Sequence, residues 1–145
     1  MIKIICVGKI KESYLKELIL DYQKRIQKYH KLEIIEVKDE ESLEKEKNNL
    51  LKVLDLKDYI ITLEIEGKSY SSEEFSQHLD QLFLKTSNIT FIIGSSLGIP
   101  EEIKKLKKES ITFSKFTFPH GLFRGILLEQ IYRSFKILNH ETYHK

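Results

Sequence analysis

The stretch that decides the fold is Ile89-Thr90-Phe91-Ile92-Ile93-Gly94-Ser95-Ser96-Leu97-Gly98-Ile99-Pro100. Its first five residues are apolar or β-branched in unbroken succession. A run that short predicts a strand buried on both faces. Gly94 and Gly98 bracket a loop, and Pro100 fits the first turn of a helix. Strand, glycine loop, helix is how a parallel α/β sheet builds a ligand crevice at the carboxyl ends of its strands.

The same alternation continues outward. Upstream, Ile2–Val7 reads as a strand. Leu15, Leu18, Ile19, Tyr22, Ile26 and Tyr29 then recur at helical spacing, predicting a helix capped by Ser13 and running to about Tyr29. Leu32–Val37 is a second strand. Lys38–Leu56 reads as a solvated helix striped by Leu43, Leu50, Leu51 and Leu54, with its Glu/Lys run exposed. Asp58–Ile65 is a third strand, and Gly67 marks a turn. Ser71 or Ser72 then caps a helix carrying Phe75, Leu79, Leu82 and Phe83. Downstream of the glycine loop come a short Lys/Glu-rich helix, a fifth strand at Ile111–Phe113, a loop at Ser114–Pro119 and a helix from His120 to about Leu138. Five strands alternating with helices predict an α/β fold, with a mostly parallel sheet and helices on both faces. No linker, repeat or low-complexity stretch divides residues 1–145, so one domain is expected.

Composition narrows the class. Apolar residues make up 41% and charged residues 32%, which is the balance of a globular chain. The first apolar run is too short for a signal or a membrane span. The single Cys6 offers no disulfide framework, so a cytoplasmic setting is expected. Net charge is only +2, which excludes a generally basic nucleic-acid coat. From Lys115 onward, however, five Lys/Arg face two Asp/Glu, with three His among them. The histidines (His30, His78, His120, His140, His144) lack metal-ligand spacing, so no metal is expected.

The last third also carries the candidate chemistry. The glycine spacing is neither that of dinucleotide sites nor that of a P-loop. A tight turn and a small-ligand loop both remain open for it. The final helix is apolar on more than one face, through Leu122, Phe123, Ile126, Leu127, Leu128, Ile131, Tyr132 and Phe135. It must bury both faces, against a second subunit or a neighbouring helix of the same chain. Arg124, Arg133, Lys136 and Lys145 are candidates for phosphate contact, with Tyr132 and Tyr143 available for base stacking. A carboxylate such as Glu129 is the structural alternative for the arginines. His120, opening a helix, is expected to be structural.

Residues 1–12 (MIKIICVGKIKE), 59–75 (YIITLEIEGKSYSSEEF), 92–98 (IIGSSLG), 113–137 (FSKFTFPHGLFRGILLEQIYRSFKI) and 141–145 (ETYHK) resemble the trefoil-knot (SPOUT) methyltransferases. Within them they are most similar to the bacterial type that methylates N3 of a pseudouridine in 23S ribosomal RNA. The resemblance covers nearly the whole chain and is most specific from Phe113 to Lys145. It implies a C-terminal trefoil knot, a homodimer, and S-adenosylmethionine held by Leu63, Gly94, Phe113, Ser114, Lys115, Phe116, Thr117 and Phe118. It implies the assembled 70S ribosome as substrate; of the phosphate-contact candidates, Arg124, Arg133 and Lys145 are the ones expected toward the RNA.

The resemblance also lifts the tail. Methylating a uracil-type N3 requires loss of its proton, which suits His144 as base, with Tyr143 stacking on or hydrogen-bonding the ring. Three features depart from the family pattern: Ser95 in place of a second glycine, Gly121 in place of a longer side chain, and a short connection over 38–56. The rivals are a knotted methyltransferase acting on tRNA or protein, and a non-catalytic α/β protein that binds a nucleotide or assembles on ribosomes.

Overall fold

A computed structural model describes all residues, 1–145. Its elements are β1 (Ile2–Val7), α1 (Ser13–Gln27), β2 (Leu32–Val37), α2 (Leu43–Val53), β3 (Tyr59–Ser69), α3 (Ser72–Lys85), β4 (Ile89–Ile93), α4 (Glu101–Lys104), β5 (Glu109–Thr112) and α5 (His120–Leu138). The strands form one sheet in the order β2-β1-β4-β3-β5, and every pairing is parallel.

Strand alternation sorts the side chains onto two faces. Ile2, Ile4, Cys6, Ile61, Phe91 and Ile93 enter the larger core beneath α1, α3 and α5. Ile5, Val7, Ile60 and Ile92 enter the smaller core beneath α2 and α4. Burial pushes the Cys6 thiol up to about 12, so it stays a neutral apolar filler. At the amino ends of the strands, Lys3 Nζ and Thr90 Oγ1 each donate to Asp58 Oδ2 at 2.8 Å.

The long helix α5 packs between α1 and α3, so neighbouring helices of the same chain cover much of its double apolar character. Gly121 and Gly125 lie against α1: a Cβ at either would stand 2.7 Å from a methyl of Leu15 or Leu18 respectively. The longer side chain absent at 121 is thus replaced by Leu15 reaching in from α1.

Several boundaries differ from the sequence reading. Ser13 does not cap α1. Glu12 holds the N-cap position without a side-chain bond, and the helix ends at Gln27. The second helix occupies only Leu43–Val53, because Ser42 caps it by accepting from Lys45 N. Ser71 caps α3 with a full capping box through Glu74. Strand β5 begins two residues early and leaves Phe113 in the following loop.

Gly67 is not a turn but lies inside β3. Leu63 and Lys68 both take Ile111 of β5 as partner. Between them Gly67 passes over the β5 backbone so closely that a Cβ would stand 2.6 Å from the Ile111 carbonyl carbon.

Candidate functional site

A cleft of about 290 Å³ opens at the carboxyl ends of β3, β4 and β5. Leu63, Ile93, Ile111, Phe113 and Phe123 give it apolar walls, and Gly94, Ser95 and Gly98 of the glycine loop line one side. The loop is tight: a Cβ on Gly94 would meet the Gly98 carbonyl oxygen at 2.6 Å. Gly98 itself has φ +90°, the left-handed region that favours glycine.

Of the eight residues expected around a cofactor, the cleft gathers Leu63, Gly94, Phe113, Ser114, Phe116, Thr117 and Phe118. Lys115 is exposed and lies outside the lining. The Ser114–Pro119 loop is braced locally, with Ser114 Oγ accepting from Phe116 N at 2.9 Å. Phe116 nevertheless stays 80% exposed at the mouth.

Polar groups missed in the sequence also border the cleft. Glu64 accepts from Thr62 Oγ1 at 2.6 Å and Lys107 Nζ at 2.8 Å, with Lys104 Nζ at 3.4 Å. Burial pushes its carboxyl up, but these donors outweigh it and hold the group below the ordinary carboxylate range. His120, expected to be structural, lines the cleft as α5 begins.

Ser95 donates to Glu46 Oε1 at 2.6 Å, while its own oxygen accepts from Leu97 N at 3.1 Å. Glu46 is fully buried and also accepts from Glu40 N. Its place in a Glu/Lys run suggested an exposed face. One turn of α2 instead points inward and anchors the glycine loop. An alternating charge run carries no mark of which carboxylate turns in.

The tail docks elsewhere on the same chain. Tyr143 packs edge-on against Tyr132 at 4.9 Å, and its hydroxyl donates to Glu129 Oε1 at 3.2 Å. Burial, then the Tyr22 and Glu129 contacts, push the phenol well above its ordinary range, so it remains protonated. His144 Nδ1 lies 2.9 Å from Arg133 Nη1 and Nε2 lies 2.6 Å from Glu73 Oε1. A guanidinium only donates, so Nδ1 accepts and Nε2 carries the proton toward Glu73. The His144 contact holds the Glu73 carboxyl below its ordinary range.

Arg133, paired with Glu129, stands about 20 Å along the α5 axis from His120 at the cleft. Within one chain the tail and the cleft are therefore separate. Lys145 is exposed beside the tail, and Lys136 pairs with Glu141. Arg124 is only 3% exposed; it donates to Glu36 Oε2 at 2.6 Å and to the Gly8 carbonyl at 3.1 Å. It ties α5 to the ends of β1 and β2 and presents no guanidinium to solvent. Glu129 thus serves Arg133, whereas the partner of Arg124 lies 88 residues away and was invisible locally.

The cleft, with aromatic and aliphatic walls and few polar anchors, fits the nucleoside part of a nucleoside-bearing cofactor. No helix is long and apolar enough to cross a membrane, and no group of three or more His, Cys, Asp or Glu is arranged to hold a metal.

Known proteins resemble this chain over nearly its whole length. The ribosomal RNA large subunit methyltransferase H of Streptococcus uberis is 48% identical over 99% of both chains. The protein of the same name from Clostridium botulinum (strain Eklund 17B) is 46% identical over the same shares. The solved A. aeolicus TrmH/SpoU tRNA modifying enzyme aligns with 95% of this chain and 77% of its own, at 13% identity and a TM-score of 0.49. The family profile described as "Predicted SPOUT methyltransferase" matches residues 1–144, and the chain belongs to that family.

Proposed function

We propose that this chain is an S-adenosylmethionine-dependent methyltransferase acting on N3 of a pseudouridine in 23S ribosomal RNA, on the assembled 70S ribosome in the cytoplasm. The observation that carries the reading is the cleft itself: seven of the residues expected to hold the cofactor surround one cavity at the carboxyl edge of the sheet. The full-length likeness to proteins named ribosomal RNA large subunit methyltransferase H supports the substrate. A chain this small has little surface with which to read sequence, so the shape of the ribosome supplies specificity.

When bound, S-adenosylmethionine supplies a methyl group on a sulfonium sulfur, which recovers the bonding pair on transfer. Leu63, Phe113 and Phe118 would give the adenine apolar walls, and the backbone at Gly94 and Phe116–Phe118 would offer its edge hydrogen-bonding groups. His144 takes the N3 proton. To do so it leaves Arg133, because Nδ1, the nitrogen with the lone pair, is engaged by that guanidinium in the free chain. Tyr143, kept protonated, donates toward a ring carbonyl. Arg133 and Lys145 face phosphate once the tail moves; Arg124 acts from within, by seating α5.

The β3 arm passing over β5 at Gly67 supports a trefoil knot. A homodimer is part of the reading. Tyr14 and Leu122 remain exposed at the ends of α1 and α5 that lie together, offering apolar surface to a second copy.

Methyl incorporation from labelled cofactor into 70S ribosomes, free 23S RNA and tRNA tests the reading. Incorporation into ribosomes, lost in His144→Ala with cofactor affinity retained, is expected. Incorporation into tRNA alone, or none with any RNA, refutes it.

A further inference from the structure

A second cavity of about 210 Å³ adjoins the cleft, sharing Phe113 and Phe118 with it. It runs between the start of α3 and the middle of α5. One part is apolar, formed by Phe75, Ile126 and the two shared rings. The other is polar, formed by Tyr70, Ser72 and Gln130. The next residue after Ser72 is Glu73, which holds His144. The cavity therefore lies between the proposed donor cleft and the tail.

The amide of Gln130 is fixed in orientation. Its Oε1 accepts from Ser72 Oγ at 2.8 Å and its Nε2 donates to Glu129 Oε2 at 2.9 Å. A primary amide has two N–H donors and two carbonyl lone pairs. One of each is used here, which leaves one N–H and one lone pair free. A planar ring with carbonyls flanking a nitrogen is the complementary ligand: its faces want aromatic walls, and its carbonyls want a donor.

We propose that this second cavity holds the uracil-type base to be methylated, and that the free N–H of Gln130 donates to a ring carbonyl beside N3. The inference rests on the methyltransferase reading above. As the N3 proton passes to the tail imidazole, negative charge spreads onto the flanking carbonyls. The N3 lone pair then forms the new N–CH₃ bond, and the breaking C–S bond leaves its pair on sulfur as a neutral thioether. A donor already aimed at the carbonyl stabilises that charge without reorganising. Ser72 and Glu129 are positioning residues that keep the amide in this sense. Phe113 and Phe118, facing both cavities, orient the base edge toward the donor.

The test uses the full-length protein with 70S ribosomes in single-turnover methyl transfer, alongside calorimetry with S-adenosylhomocysteine and ribosome co-sedimentation. Gln130→Ala is expected to lose about 100-fold in transfer rate, the usual loss for one such donor, with cofactor affinity within about twofold of wild type. Ile126→Trp, which fills the cavity, should show the same split. Gln130→Glu keeps an oxygen for Ser72 but lacks the N–H, so it should not rescue. It decides the matter if Ile126→Trp fails to fold. Wild-type transfer rates in Gln130→Ala and Gln130→Glu overturn the proposal, as does a loss explained wholly by weaker cofactor or ribosome binding. A wild-type protein that binds the cofactor but methylates no RNA instead brings down the functional reading on which the proposal rests.

Discussion

Gly67→Ala isolates the crossing of β3 over β5. Gly67 does not have positive φ, so alanine meets no backbone penalty there. The cost is contact alone. The new Cβ would stand 2.6 Å from Ile111 C, 2.7 Å from Ile111 N and 2.8 Å from Ser110 C. Carbon atoms rest at about 3.5–4.0 Å, so one strand must move by nearly 1 Å. All three atoms are backbone, so no side-chain rotation relieves the clash. The displacement falls on the Lys68↔Ile111 and Ser69↔Thr112 pairings. Overpacking costs about 1–3 kcal/mol, and each strained hydrogen bond adds about 1 kcal/mol, giving about 3 kcal/mol in all. With a urea slope of about 2 kcal/mol/M, the unfolding midpoint should fall by about 1.5 M. Two other glycines serve as controls. Gly98→Ala has open space but φ +90°, so it should lose about 1–2 kcal/mol through conformation. Gly121→Ala meets only the end of Leu15, which can rotate, and gains about 1 kcal/mol of helix propensity, so it should be near neutral. The order 67, 98, 121 in urea midpoints is the expected result. A Gly67→Ala protein as stable as wild type refutes the crossing.

Ser95→Ala removes the hydrogen bond to Glu46 and the acceptor for Leu97 N, leaving a buried carboxylate with only the Glu40 N–H. A stability loss of about 1–3 kcal/mol and a roughly tenfold weaker cofactor affinity are expected by calorimetry; wild-type values in both would show that Glu46 does not anchor the loop. Asp58 gives the pH dependence. Burial pushes its carboxyl up, but the bonds from Lys3 and Thr90 pull it further, to below the ordinary 3.8. A group depressed in the folded state adds stability above its unfolded pKa, and that stability is lost as pH falls through the folded value. Asp58→Asn should therefore cost about 2–3 kcal/mol near neutrality, with the gap to wild type closing as pH drops below 3.8. A gap that persists unchanged at pH 2 would exclude the linkage.

Much of the fold was legible because its strands are short apolar runs and its helices carry clear stripes. Ile2–Val7 and Ile89–Ile93 are buried on both faces, and only the middle of a covered parallel sheet produces that pattern. The glycine loop and Phe113–Phe118 could be grouped beforehand only through the family resemblance, because strand order, which puts β4, β3 and β5 side by side, leaves no mark in the sequence. What failed was local ambiguity. A glycine at a turn and a glycine under a crossing strand look the same in sequence, so Gly67 was misread. Glu46 was hidden by its charged neighbours, and the partner of Arg124 by distance along the chain. The second cavity had no signature, since Ser72 and Gln130 meet only when α3 and α5 pack.

The placement of these exceptions has a physical logic. The amino edge of the sheet is pinned by Asp58 with Lys3 and Thr90, and by the terminal ammonium donating to Ser87 O at 2.7 Å. On β5, Glu109 accepts from Tyr59 at 2.6 Å, before the crossing, and from Tyr70 at 3.2 Å, after it. Both ends of the β3 arm are thus tied to the strand it crosses, and the irregular backbone at Gly67 is held from two sides. His78 closes the clasp, 2.7 Å from the same carboxylate. With the edge strand fixed in this way, Leu63 and Ile111 form one wall of the cleft. A ligand entering it would first meet the Ser114–Pro119 loop opposite, where Phe116 stands 80% exposed at the mouth.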